Sequence, residues 1–371
     1  MSNRNDTNNK GPDSSGPLMG LRQGPVPRSR RNRTNTNRES VWRRALVGLF
    51  LLALAIAAPH AAAQQVQPLN VLLLNDDGIG APGIKAMQAA LEAAGDNVVV
   101  VAPNGNASGS SASIHLGEVF LIQTAGAPNE FKVLRTTEHQ TPLAVPVPAT
   151  PAECLVLSRA VTPFVPDIVI SGINNGANSG LVAFTSGTVA GASVASTRVS
   201  PFGGVPAIAV SLESAPTPYP SRAGFTQNYA EVAAFVVNLI GNLQRHSQSG
   251  KLLPQGVFLN VNYPALAKSE IKGVEVTSQG DSVLFDSSAF PASRAFQGFP
   301  LNPFNPSQPC DLSAGDGYCV AGAVPVDNNE TVKDADTAAV VDGYISISPF
   351  ATDYTAGGAL AGVVQWLQGF L

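Results

Sequence analysis

The chain has 371 residues, a formal net charge of −4 and three cysteines, a length that suits one large domain or two smaller ones. Charge is unevenly spread: residues 1–44 carry ten Lys/Arg against three Asp/Glu, leaving 12 basic and 23 acidic residues in the remainder. So acidic a body lacks the basic face that a nucleic-acid polymer requires, which argues against that class of partner.

Residues 1–40 are polar and rich in Asn, Arg, Ser, Gly and Pro, a disordered basic leader that cannot build a core. Arg43-Arg44, the apolar run 45–58 and the small-residue end Ala61-Ala62-Ala63 then form a secretory signal, with cleavage expected after Ala63. The run is shorter than the roughly 20 residues a membrane helix needs, so no stable span is expected after cleavage. Met1 and Met19 both remain open as the start. The mature protein is expected over 64–371, exported to a periplasmic or secreted location. In that oxidising setting Cys310 and Cys319 fit a local disulfide. Cys154 lies on an apolar helical pattern as a buried thiol. His115, His139 and His246 are scattered, so no His-based metal cluster is expected.

Short apolar runs alternate with helical patterns from residue 68 to about 250. A strand is predicted over 71–74, a helix over 82–94 with Pro82 in its first turn, and a strand over 98–102. Farther on come a strand over 168–170, a small-residue helix over 187–196, a strand over 207–211 and an amphipathic helix over 229–243. Strands that are apolar throughout, rather than alternating, imply burial on both faces. The fold class is therefore α/β, a doubly wound, mainly parallel, Rossmann-like sheet. Strands over 257–262 and 273–277 follow, then an excursion over 281–330 rich in Ser, Pro, Phe, Asn and Gly. A strand over 343–348 and a closing helix over 359–370 complete a single domain.

Ligands of such sheets bind beyond the carboxyl ends of the strands, and four polar clusters fall at that kind of position: Asn75-Asp76-Asp77-Gly78, residues 102–109, residues 171–176, and Thr185-Ser186-Gly187-Thr188. Their chemistry is oxygen-rich, with two carboxylates, hydroxyls and amides, and suits a hard divalent cation. A cation also removes the repulsion between adjacent Asp side chains. Ser186-Gly187-Thr188 at a helix start offers N–H groups and hydroxyls to an anion. Cation and anion cradle on one sheet edge point to phosphate-ester chemistry. Taken singly, the same stretches also read as an Asx turn, an N-cap and a tight turn. No Gly-x-Ser-x-Gly elbow and no Gly-x-x-x-x-Gly-Lys-Ser/Thr loop is present.

These stretches resemble the SurE family of stationary-phase survival proteins, which are 5′/3′-nucleotidases. The resemblance covers about 68–356 and runs in family order. It is carried by Asn75-Asp76-Asp77-Gly78 with Ala81-Pro82-Gly83-Ile84, by Ser108-Gly109, by Thr150-Pro151-Ala152-Glu153-Cys154, by 166–178, by Ser186-Gly187-Thr188-Val189, and by Leu259-Asn260-Val261-Asn262-Tyr263-Pro264. It implies a metal-dependent phosphomonoesterase acting on nucleoside monophosphates, with one Mn²⁺ or Mg²⁺ on Asp76, Asp77, Ser108 and Asn174. Phosphate contacts map onto Asn75, Ser186, Gly187 and Thr188, and Asp76, Asp77 and Asn174 carry the catalysis. It also implies a homodimer or homotetramer built through C-terminal elements of about 280–371. The chain departs from the family pattern at Gly180-Leu181-Val182, where Gly-Asp-Asp is common, at Ser193-Val194-Ala195, where Met-Glu-Gly is common, and at Asn104 and Ala107. None of these removes an implied metal ligand, but the pocket becomes less acidic and more apolar. A broad-specificity acid phosphatase without base recognition, and a phosphate binder that has lost catalysis, remain the alternatives.

Overall fold

The computed structural model describes residues 66–136, 147–213, 227–247, 250–282, 301–302, 305–309 and 329–352. The signal segment, Cys310, Cys319 and the closing helix expected over 359–370 lie outside these residues.

In chain order, β1 (Asn70–Leu74) leads to α1 (Pro82–Ala93), β2 (Asn97–Pro103), β3 (Val119–Ala125), β4 (Ala127–Thr136) and β5 (Val147–Pro148). Next come α2 (Pro151–Ser158), β6 (Ile168–Asn175), a 3-10 turn (Gly180–Phe184), α3 (Gly187–Ser196), β7 (Ala207–Leu212) and α4 (Tyr229–His246). The described C-terminal part adds β8 (Val257–Tyr263), a 3-10 turn (Lys268–Glu270), β9 (Val274–Val276), β10 (Leu301–Asn302), β11 (Asn305–Pro309), α5 (Asp336–Asp342) and β12 (Ile345–Ala351).

The main sheet has the order β3-β4-β2-β1-β6-β7-β8-β12-β9, with β5 paired to β4. Strands β4, β2, β1, β6, β7 and β8 are mutually parallel; β3 and β12 run antiparallel to their neighbours β4 and β8. Alternation along β1 shows why it is apolar throughout. Val71 and Leu73 pack with Ile84, Met87 and Leu91 of α1 and with Val232, Val236 and Ile240 of α4. Leu72 and Leu74 pack on the opposite face with Cys154 and Leu155 of α2 and Val189, Ala192 and Ala195 of α3. Each such fully buried Leu, Ile or Val side chain contributes roughly 1.5–3 kcal/mol, so the double winding follows directly from the apolar runs.

Two features place the site. The chain moves from β1 to β2 on one side, and then returns with β6 on the other side of β1. That reversal opens a crevice at the carboxyl ends of β1 and β6, the place where open α/β sheets bind ligands. Second, β6 is longer than the 168–170 expected and runs through the third polar cluster. Its pairing with β7 passes from Ser171↔Ala209 to Asn174↔Ser211, so one extra residue is accommodated between them. Such a bulge re-aims the side chains that follow it. The Asn-Asn-Gly at 174–176 is thus a strand end rather than a free-standing turn.

Candidate active site

Asn75 and Asp76 follow β1 directly. Asn75 is fully buried; its side-chain amide donates to the Gly78 carbonyl at 2.9 Å and its carbonyl oxygen accepts from the Gly78 N–H at 3.2 Å. This closes the Asn75–Gly78 turn and holds both carboxylates beyond the strand. Asp76 is 3% exposed, and its Oδ1 accepts a 2.6 Å hydrogen bond from the Thr188 hydroxyl. Burial pushes the Asp76 carboxyl up to about 6; the Thr188 hydrogen bond pulls it down and the Asp77 charge raises it. Asp77 accepts from the Asn175 N–H at 2.9 Å, and burial raises its carboxyl as well. The ion pairs among the described residues, Lys85–Glu130, His115–Glu153 and Arg135–Glu118, leave Asp76 and Asp77 without a basic partner.

The other three clusters converge on this turn. In the loop after β2, the Ala107 N–H donates to the Asp76 carbonyl at 2.7 Å, and the neighbouring Ser108 is exposed, its N–H held by Asn106 Oδ1 at 2.7 Å. Asn174, 8% exposed, donates its side-chain N–H to the Gly176 carbonyl at 2.8 Å, which turns its carbonyl oxygen to the other side. Ser186 is the N-cap of α3: its Oγ accepts from the Val189 N–H at 3.1 Å. A hydroxyl that accepts still has its own proton to donate, and the first N–H groups of α3 lack intrahelical acceptors. Gly187 lies directly against Asp76, since a Cβ there would sit 3.0 Å from Asp76 Oδ2. The Ser111 N–H and hydroxyl bond to the Thr185 and Phe184 carbonyls at 3.2 and 3.0 Å, stapling the second loop to the fourth.

Every residue predicted for the site thus lies in one of the four segments that meet at Asp76-Asp77. Thr188, expected to contact phosphate, directs its hydroxyl to Asp76 instead and so orients that carboxylate. Asn75 is likewise occupied in shaping its own turn. The donor set fits a divalent cation. The buried Asp76 carboxylate and the partly buried Asp77 carboxylate, neither with a basic partner among the described ion pairs, stand beside hydroxyl and amide oxygens.

Sequence reasoning missed three supports. Glu153, 2% exposed, completes a capping box with Thr150 and accepts from both the His115 N–H and its ring Nδ1 at 2.7 Å, while the Thr150 hydroxyl donates to the Ser113 carbonyl. The Thr-Pro-Ala-Glu spacing is the capping-box signature and could have revealed it. Asp336 Oδ1 accepts from the Gly180, Gly280 and Thr337 N–H groups, pinning the segment that delivers Ser186. Ser110 places a buried hydroxyl beside Gly187. No local pattern announces the last two. In the turn that precedes Ser186, Leu181, one of the departures from the family pattern, is 41% exposed, and Phe184 is 61% exposed. A separate concavity at the amino edge of the sheet, lined by Leu69, Asp167, Pro206 and Gly256, contains none of these residues.

Fold and site together define a Rossmann-like α/β protein with an oxygen-donor centre at the crevice between β1 and β6. The family model described as survival protein SurE matches residues 71–285. The chain belongs to the SurE family. It is 36% identical over 302 residues to the 5′/3′-nucleotidase SurE of Yersinia enterocolitica, spanning 81% of this chain and 98% of that protein. It is 33% identical over 301 residues to the 5′-nucleotidase SurE of Geotalea uraniireducens, spanning 80% and 99%. The crystal structure of the SurE protein from Aquifex aeolicus superposes with a TM-score of 0.54 at 28% identity, covering 81% of this chain and 99% of that one.

Proposed function

We propose that this chain is a divalent-cation-dependent nucleotidase that hydrolyses nucleoside 5′- or 3′-monophosphates to nucleoside and phosphate. The coarser statement stands on kinship: it is a phosphoric monoester hydrolase of the SurE family. The observation that carries the finer reading is the convergence of the Asp76-Asp77 pair, Asp76 buried and Asp77 partly so, with the start of α3, joined by the Thr188–Asp76 hydrogen bond.

In this reading Asp76 and Asp77, with the Ser108 hydroxyl and the Asn174 carbonyl oxygen, hold one Mn²⁺ or Mg²⁺. When bound, that ion supplies Lewis acidity at a phosphoryl oxygen and makes the attacking water more acidic. The chain's own residues do the rest. The Ser186 hydroxyl and the N–H groups opening α3 receive the equatorial phosphoryl oxygens, where charge grows in the transition state. Thr188 keeps Asp76 in one orientation, and the Asn175 N–H does the same for Asp77. A carboxylate of this pair accepts the proton of the attacking water. The same reading has the mature chain, from about residue 64, acting outside the cytoplasm as a homodimer or homotetramer.

The exposed Leu181 and Phe184 favour a second reading, a phosphatase that makes little use of the base. Turnover of 5′- and 3′-nucleoside monophosphates and of a simple aryl phosphate, each with Mn²⁺ or Mg²⁺, separates the two. The nucleotidase reading expects the nucleotides to be hydrolysed with clearly higher kcat/KM; equal efficiencies would assign the broad phosphatase instead.

A further inference from the structure

The loop after β2 carries a second serine that the implied ligand set does not use. The Ser110 hydroxyl is buried and has no hydrogen-bond partner. Its position is set by its surroundings. A Cβ built on Gly187 would lie 2.9 Å from Ser110 Oγ and 3.0 Å from Asp76 Oδ2, so the hydroxyl and the carboxylate flank the same Cα at the start of α3. Although both lie against Gly187, no hydrogen bond joins them. The loop is fastened on either side: the Ala107 N–H bonds to the Asp76 carbonyl, and the Ser111 N–H to the Thr185 carbonyl. The backbone that carries Ser110 is thus tied to the Asp76 turn on one side and to the segment before α3 on the other.

A buried hydroxyl without a partner is costly, and folded proteins keep few of them. Here it stands at a helix start that already offers N–H groups and the Ser186 hydroxyl to an anion. We propose that Ser110 is a further phosphate-binding residue, its hydroxyl donating to an oxygen of the phosphoryl group in the bound ester. This rests on the reading of the site as a phosphomonoesterase centre. It deepens that reading by adding a side chain that faces α3 from the opposite loop, so that the phosphoryl group is held from two sides. It also accounts for the glycine at 187, because any side chain there would come between the hydroxyl and Asp76.

The test compares Ser110→Ala with the parent chain, both loaded with Mn²⁺, by calorimetric titration with inorganic phosphate and by thermal melts without phosphate. The variant is expected to bind phosphate roughly 3- to 10-fold more weakly, the value of one neutral hydrogen bond, and to show a KM raised by a similar factor. Its melting temperature without phosphate is expected to be unchanged or higher, because an unpartnered buried hydroxyl has been removed. A hydroxyl with only a packing role would give the reverse, a lower melting temperature and an unchanged phosphate Kd, and that result overturns the proposal. Weaker Mn²⁺ binding with unchanged phosphate binding would assign the hydroxyl to the cation and likewise overturn it. Should the parent chain itself bind no phosphate, the phosphomonoesterase reading falls first and this proposal with it. Where the parent does bind, the change in the variant bears on Ser110 alone.

Discussion

Gly187 has no side chain because there is no room for one. A Cβ would meet Ser110 Oγ at 2.9 Å and both Cβ and Oδ2 of Asp76 at 3.0 Å, so Gly187→Ala must shift Ser110, Asp76 or the start of α3. Misplacing a catalytic group by about 1 Å can cost on the order of 10²-fold in rate; the smaller shift needed here is expected to lower kcat/KM by less than that while the thermal melt still shows a folded protein. Asp76 makes the converse case, since its burial costs stability in the absence of a cation. With the folded carboxyl raised from 3.8 to about 6, the folded state binds the proton more tightly than the unfolded chain, so stability falls as pH rises through that interval. A shift of this size is worth about 3 kcal/mol. In chelator, Asp76→Asn is therefore expected to melt at or above the parent at pH 7, with the gap closing below pH 4. Melts from pH 4 to 8 check this, and a variant less stable at every pH would contradict it.

At the scale of elements, the Gly180–Phe184 turn matters because it delivers Ser186. It is held from far along the chain: Asp336 Oδ1 accepts from the Gly180 N–H at 3.0 Å, the Gln279 side chain donates to the Gly180 carbonyl at 2.9 Å, and the Leu181 N–H reaches the Ser282 carbonyl at 3.1 Å. Gly180 itself has φ +57 and would place a Cβ 2.2 Å from Ser282 O. Asp336→Ala leaves three buried N–H groups without their acceptor, and a loss of about 3 kcal/mol in unfolding free energy is expected. Asp336→Asn retains an acceptor oxygen and should lose much less, which paired denaturant titrations will show. This brace was not legible beforehand, because Gly180 and Asp336 are 156 residues apart and only the fold brings them together. The β3–β4 hairpin escaped for another reason. Its strands are half exposed and mix polar with apolar residues, whereas β1, β2 and β7 are apolar runs whose burial on both faces is written in their composition. Likewise α3 was readable to the residue, from its small side chains and the Ser186 cap.

For the molecule as a whole, one sheet does two jobs. Its apolar strands form a core on both faces, and its reversal of strand order opens the crevice into which four loops deliver the site. The location of the site was legible because Asp76-Asp77, Asn174 and Ser186-Gly187-Thr188 all follow recognisable apolar strands or open a recognisable helix. Its inner contacts were not. That Thr188 serves Asp76, and that Ser110 lies across Gly187 from it, depends on packing between segments some 75 to 110 residues apart in the chain. The proposed function stands or falls with Asp76 and Asp77 as a cation site that drives phosphate release. Phosphate release from a nucleoside monophosphate by the parent, Asp76→Asn and Asp77→Asn chains, each with Mn²⁺ and with excess chelator, tests this without intermediaries. Release is expected only from the parent with Mn²⁺, with a loss of at least about 10²-fold in each variant and thermal melts that show all three folded. Full release by the parent in excess chelator, or by either variant, would contradict it.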